Sequence, residues 1–230
     1  MIIDDERSAR NEMRRLLADY PGFEIIAEAK DADEAKALIE DKQPDLIFLD
    51  IQMPESSGFD LLESLEQVPQ VVFVTAFDQY AVKAFEVSAL DYLMKPVRAE
   101  RFAKAMDQVR QRLAEPREER IFVKDRNQCH FISWSNIFLI ESMDNYARLY
   151  FDDKKVFLKS SLNQLEQRLN ASVFFRVNRA QIINLQFIDN IKTPAGGKVQ
   201  ISLKTGDTVE ISERQWVKFK NRMDAKNKGG

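Results

Sequence analysis

One cysteine, one histidine, and only seven glycines and seven prolines among 230 residues close off several chemistries at once. With Cys129 alone no intrachain disulfide can form, which fits a reducing compartment. His130, next to Cys129 in "NQCHFIS", is the only imidazole, so a zinc site or a serine triad lacks its members. Consecutive strand residues face opposite ways, and the pair reads as ordinary strand residues rather than a dyad. No apolar run approaches the roughly 20 residues of a spanning helix, and the N-terminus lacks a basic segment leading into a signal-type apolar stretch. A cytoplasmic protein without membrane contact is expected. No repeat or low-complexity run stands out, and 44% hydrophobic with 31% charged residues describes a folded rather than a disordered chain.

What is present is unevenly distributed. The net charge of −3 conceals an acidic and a basic half: residues 1–115 hold 14 Lys and Arg against 24 Asp and Glu, and residues 116–230 hold 20 against 13. The length favours two domains, each with its own core. The break falls in "RLAEPREER", where Pro116 ends a helix and charges keep the segment solvated. The expected organisation is a first domain over 1–113, a linker over 114–119 and a second domain over 120–225. Balances of −10 and +7 point to an anionic partner for the second half, with an unevenly solvated surface as the alternative.

In the first half short continuous apolar runs alternate with helical patterns, the signature of strands covered on both faces in a parallel sheet. Strands are expected at Ile2-Ile3, Phe23–Ala29, Asp45–Leu49, Val71–Val74 and Tyr92–Met94. Helices are expected at Glu6–Tyr20, Asp33–Asp41, Gly58–Gln67, Tyr80–Val87 and Arg98–Leu113, the last with Phe102, Ala105, Met106 and Val109 as its core stripe. This is one doubly wound α/β domain with a five-stranded parallel sheet. Ligands of such sheets sit beyond the carboxyl ends of the strands, and Asp4-Asp5, Asp50, Thr75 and Lys95 all fall there. "DDE" alone reads equally well as a helix N-terminal cluster; an acid pair, a third acid, a hydroxyl and a lysine together read as a site.

These residues resemble the receiver domain of two-component response regulators across residues 1–112: the Asp pair after the first strand, Asp50 followed by "MPESSGFD", Thr75-Ala76 after the fourth strand, and Tyr92 ahead of Lys95-Pro96. The resemblance implies a flavodoxin-like fold in which Asp50 accepts a phosphoryl group from a sensor histidine kinase, assisted by Thr75 and Lys95. Converging carboxylates repel one another unless a cation or protons intervene. A hard, oxygen-preferring ion such as Mg²⁺ is the natural occupant, held by Asp5, Asp50 and the backbone carbonyl of Gln52, with Asp4 acting partly through water. By the same resemblance Tyr92 is a switch aromatic that couples the site to the surface of 80–87, the fifth strand and the helix 98–113, where receivers commonly dimerise; a plain core aromatic is its alternative. Lys95-Pro96 is typically cis in that family. Haloacid-dehalogenase-type phosphatases share the aspartate, threonine and lysine but place a second acid two residues after the nucleophile. Gln52 stands there, so slow self-dephosphorylation is expected and turnover of free esters is not. Only Met1, Ile2 and Ile3 precede the acid pair, fewer than a usual central strand; a truncated or late-assigned start and a short first strand are expected.

Beyond the linker the pattern changes to strand alternation. Strands are expected at Ile121–Lys124, Cys129–Ile132, Ile137–Ser142, Ala147–Phe151, Val156–Lys159, Phe175–Val177 and Gln181–Asn184, and Val199, Ile201 and Leu203 lead through Gly206 into "DTVEIS" as a hairpin. Gly196-Gly197 marks a further turn. Helices are expected at Leu162–Leu169, capped by Ser160 or Ser161, and at Glu213–Arg222. This mainly antiparallel β domain resembles the LytTR DNA-binding domain over roughly 120–223, in "IFLIESMDNYARLYF", "SSLNQLEQRL" and "FFRVNRAQIINLQFI". The resemblance implies that loops and strand ends enter the major groove of double-stranded DNA through Asn145, Tyr146, Arg148, Asn178, Arg179, Arg214 and Lys218. Arginine suits guanine, asparagine adenine and lysine phosphate, which marks Arg179, Arg214 and Asn178 as base readers. Members often carry histidine at the position of Asn178. Arg148 reads equally as a solvated strand charge, and Arg176 as a residue that pins backbone or pairs with an internal acid. The chain as a whole is expected to be a phosphorylation-controlled transcription factor that dimerises when phosphorylated or DNA-bound. An RNA- or protein-binding output is the alternative.

Overall fold

The computed structural model describes the backbone of all residues except 77–88, 116–117, 126–127, 194–197 and 228–230, and leaves the side chains of 125, 128 and 224–227 undescribed. Strands β1 (Ile2–Ile3), β2 (Glu28–Ala29), β3 (Leu46–Leu49), β4 (Gln70–Thr75) and β5 (Asp91–Met94) pair in parallel in the order β2-β1-β3-β4-β5. This is the doubly wound sheet expected. Alternation of side chains sorts its residues between two cores. Ile3, Ile47, Leu49, Val71 and Phe73 pack on one face under α2 (Ala32–Lys42) and α3 (Gly58–Ser64). Ile2, Leu46, Phe48, Val72 and Val74 pack on the other under α1 (Arg7–Leu17) and α4 (Ala99–Leu113), whose stripe of Phe102, Ala105, Met106 and Val109 is buried. No helix among the described residues is long and apolar enough to cross a membrane.

Local chemistry sets the helix starts. Asp31 caps α2 by accepting from Glu34 N at 2.8 Å, and Ser57 and Asp60 form a reciprocal capping box on α3. The expected strand over Phe23–Ala29 is corrected to Glu28–Ala29: a parallel ladder needs a partner, and the neighbouring strand starts by pairing Ile2 with Glu28. The expected helix at Tyr80–Val87 lies outside the described residues.

The molecule divides into two compact units, Met1–Trp134 and Ser135–Gly230. The division falls later than the expected linker at 114–119. The hairpin of β6 (Arg120–Asp125) and β7 (Gln128–Ser133) packs with the first unit, where Phe122 and Cys129 join the core of α2 and α3.

The second unit is mainly antiparallel β. Strands β8 (Ile137–Met143), β9 (Tyr146–Phe151), β10 (Lys154–Leu158), β11 (Phe174–Arg176) and β12 (Gln181–Asn184) form a sheet in the order β10-β9-β8-β12-β11. A second sheet contains β13 (Ile188–Lys192), β14 (Gln200–Leu203) and β15 (Thr208–Glu210), with Gly206 at φ +93° in the β14–β15 turn. β13 was not expected; the Gly196-Gly197 turn lies outside the described residues. Helix α5 (Leu162–Arg168) starts on a Ser161–Gln164 capping box, which settles its cap as Ser161. Helix α6 (Glu213–Asn227) seats Phe219 in a core with Phe138, Val177, Ile183, Ile201 and Val209.

Candidate functional site

The sheet brings Asp4, Asp5, Asp50, Thr75 and Lys95 to one end. Asp4 follows β1, and its N–H donates to Ala29 O at 3.1 Å; Asp50 follows β3, and its N–H donates to Ile3 O at 2.9 Å. Lys95 N donates to Thr75 O at 2.9 Å, which ties the ends of β4 and β5. One carboxylate oxygen from each of Asp4, Asp5 and Asp50 lies within 4.8 Å of the others. Asp4 and Asp50 are buried and Asp5 is exposed. The Lys95 ammonium sits between them, 2.7 Å from Asp4 Oδ2 and 2.6 Å from Asp50 Oδ2. Burial pushes the Asp4 carboxyl above its ordinary range against the pull of Lys95. Burial also opposes the Lys95 charge, but the hydrogen bonds to Asp4 and Asp50 outweigh it and raise the ammonium above its usual value.

Two further features lie at the same strand ends. Thr75 is fully buried and its Oγ1 has no hydrogen-bond partner; a hydroxyl left so is costly unless it serves something that arrives. Gln52 N donates to Asp50 Oδ1 at 3.1 Å, and among the described residues Oδ2 is held by Lys95 alone. The Lys95-Pro96 bond is cis.

Sequence reasoning placed the acids but missed Gly58 and Arg10. A Cβ on Gly58 would lie 2.4 Å from Asp50 O and 3.2 Å from Ile51 Cα, so only glycine lets the first turn of α3 approach the strand end. Gly58→Ala is therefore expected to destabilise the first unit by roughly 1–3 kcal/mol, the range for overpacking, visible as a lowered thermal midpoint. An unchanged midpoint would mean that the loop yields freely. Arg10 donates to Asp4 O at 2.6 Å and to Glu28 Oε2 at 3.2 Å, fixing the loop that carries the acid pair. Tyr92 is buried, and its carbonyl accepts from Arg101, which also forms a fork on buried Asp91.

In the second unit three segments meet. The β8–β9 tip carries Asp144, with φ +51°, and exposed Asn145 and Tyr146. The turn at 178–180 adjoins β8 through Ser142 N and Ala180 O at 2.8 Å, and the start of α6 adjoins it through Ser212 N and Val177 O at 2.9 Å. Arg179, Arg214 and Lys218 are exposed, and among the described residues their side chains have no ion-pair partner. Arg148 and Asn178 differ, for both work inside the protein. Arg148 donates to Tyr150 Oη at 3.2 Å, and Tyr150 donates to Glu141 at 2.5 Å. The Asn178 amide donates to Gln181 Oε1 and Glu210 O and accepts from Ala180 N, at 2.9, 2.8 and 2.8 Å. Arg176 clamps the same turn from beneath, with Nε 3.2 Å from Asn178 O and Nη2 2.9 Å from Arg179 O. Its Nη1 reaches Asn163 at 2.6 Å and Glu166 at 2.8 Å, so it both pins backbone and pairs with an acid.

Comparison with known proteins agrees with both halves. The family model of the response regulator receiver domain matches residues 1–107, and that of the LytTr DNA-binding domain matches 127–224. The sensory transduction protein LytT of Enterococcus faecalis is 31% identical over 236 residues, covering 97% of this chain and 98% of its own. The transcriptional regulatory protein BtsR of Salmonella typhi is 34% identical over 238 residues, with the same coverage. A receiver sheet with its acids at the strand ends, joined to a β domain of this kind, makes the chain a member of the LytTR family of two-component response regulators, DNA-binding regulators of transcription.

Proposed function

We propose that Asp50 is the phosphoacceptor, that a sensor histidine kinase supplies the phosphoryl group, and that the resulting charge controls duplex binding by the second unit. The observation that carries this reading is the orphaned Thr75 hydroxyl, fully buried at the end of the strand that lies between those leading to Asp50 and Lys95. It is a donor lacking an acceptor, where a phosphoryl oxygen supplies one. Asp50 Oδ2 bonds to phosphorus as the bond from phosphorus to the donor's leaving atom breaks. Lys95 moves from Oδ2 to the new equatorial oxygens, where the charge of the transferring group is spread. Exposed Ala76 beside Thr75 leaves room for the group.

Oxygen donors from Asp4, Asp5 and Asp50 fit a hard divalent cation such as Mg²⁺, and the backbone carbonyl of Gln52 would serve as a further ligand. When bound, that ion supplies positive charge to the phosphoryl oxygens. Gln52 offers no acid for protonating a leaving group, which supports slow loss of phosphate rather than turnover of esters. The phosphoryl group adds about −1.5 to −2 charge; Thr75 moves toward it and Tyr92 responds as the switch aromatic.

In the second unit, Asn145, Tyr146, Arg179, Arg214 and Lys218 face the duplex, the arginines reading bases and Lys218 neutralising phosphate. Arg148 and Asn178, spent on internal partners, hold the reading segments in place. A selection of bound duplexes from a random pool, run with and without an acyl phosphate, tests the whole reading. One enriched sequence is expected, recovered more strongly with the acyl phosphate. Equal recovery in both arms, or no enriched sequence, would sink it.

A further inference from the structure

Three consecutive residues at the start of α3 touch three different things. Gly58 lies against the backbone of Asp50, and its N–H donates to Ile51 O at 2.8 Å. Phe59 stacks on Phe122 of the β6–β7 hairpin, with ring centroids 6.1 Å apart and planes 7° apart, and meets Phe73 of β4 edge-on at 5.3 Å. Asp60 closes the capping box with Ser57 and reaches Lys124 of the hairpin at 3.4 Å. Phe73 lies two residues before Thr75 on the same strand. Phe59 thus touches both Phe73, on the strand that ends in Thr75, and Phe122 of the hairpin.

The hairpin is held at its base as well. Val68 N donates to Arg120 O at 3.0 Å, and the Arg120 guanidinium donates to Gln70 Oε1 at 3.1 Å. Cross-strand pairing puts Phe122 opposite Phe131 and Lys124 opposite Cys129. These residues share one face, and it is the face that meets α3, with Phe131 packed beside Phe122 and Cys129 against the α2–α3 core. The opposite face is buried too: Ile121, Val123 and Ile132 are each at most 2% exposed. β7 lies inside the segment matched by the DNA-binding family, while its companion β6 lies between the two matched segments. β7 thus belongs to the reader by sequence, while the hairpin it forms belongs to the receiver by packing.

We propose that the α3 face of the receiver is a docking surface whose occupant is this chain's own β6–β7 hairpin, and that phosphorylation of Asp50 alters its hold. The proposal rests on the phosphoacceptor reading above. A change at the Asp50 loop cannot spare Gly58, because no gap separates them, and Phe59 and Asp60 move with it. The stack with Phe122 and the Lys124 ion pair are then remade or broken. β7 leads along the chain into the second unit, so the hairpin is where a change in the receiver meets the start of the reader.

The test is amide hydrogen exchange on the full-length protein, with and without Mg²⁺ and beryllofluoride, read at 121–124 and 129–132. Label uptake from an acyl phosphate is measured on the same preparation. Exchange in the hairpin is expected to change by about 5- to 150-fold, the span of ordinary coupling between sites. It should stay unchanged in Asp50→Asn. Phe59→Leu keeps an apolar side chain but removes the ring stack; it is expected to take up label normally while its hairpin response collapses. A loaded wild-type protein whose hairpin exchanges at the same rate overturns the coupling alone, as does a Phe59→Leu protein with the full response. A wild-type protein that takes up no label overturns the phosphoacceptor reading and the coupling with it.

Discussion

Asp50→Asn protein incubated with a labelled acyl phosphate and Mg²⁺ is expected to incorporate nothing above background, against stoichiometric labelling of the wild type. The substitution is nearly isosteric, and the amide oxygen still accepts from Gln52 N, which bonds Oδ1 at 3.1 Å. What disappears is the carboxylate charge: the neutral amide left in its place is too weak a nucleophile to attack phosphorus. Lys95 keeps its ion pair with Asp4 at 2.7 Å, so its ammonium is not left buried and alone, and the fold survives. Thr75→Val makes a useful contrast, because it keeps the shape of the side chain and exchanges only the hydroxyl for a methyl group. Removing a buried hydroxyl that has no partner relieves a penalty of about 1–3 kcal/mol, so the unphosphorylated protein should be at least as stable as wild type. The same variant should respond poorly to phosphate, because the donor that turns toward the new group has gone. Undiminished label on Asp50→Asn would move the phosphoacceptor elsewhere.

The acid cluster was legible because each member ends a short apolar strand, and in a parallel sheet those ends share one edge. Leu46–Leu49 and Gln70–Thr75 could be read as strands from composition alone. Phe23–Ala29 was over-read for a physical reason: its apolar residues favour extension, but a strand is assigned only where a neighbour pairs, and that begins at Glu28. β13 was missed because "IDNIK" shows no clean alternation and its ladder shifts register between Ile188 and Asn190. The role of Gly58 depends on the main chain of Asp50, and the packing of the hairpin on Phe59, both set by tertiary contacts that no local pattern announces. The same holds for Asn178, which by type suits adenine but is bonded to Gln181 and to Glu210 O, 32 positions along the chain.

Arg179→Ala combined with Arg214→Ala is expected to weaken binding to the selected duplex by about two orders of magnitude or more, since each bidentate base pairing removed is worth about 1–3 kcal/mol and about 1.4 kcal/mol is tenfold. Both side chains are exposed, so the two effects should add and the fold should not suffer. Discrimination between the selected duplex and a random one should fall with the affinity. Lys218→Ala serves as the counterpart: taking away one phosphate-neutralising charge weakens every duplex alike and lowers the salt slope by about one. Arg176→Lys separates positioning from direct contact. Its guanidinium bonds the carbonyls of Asn178 and Arg179 and the side chains of Asn163 and Glu166 together, a fork that one ammonium cannot span. The charge is kept, so the salt slope should be unchanged while specificity drops. If Arg176→Lys instead lowers the slope and leaves discrimination intact, Arg176 meets the phosphates itself and the clamp beneath the 178–180 turn is incidental to recognition.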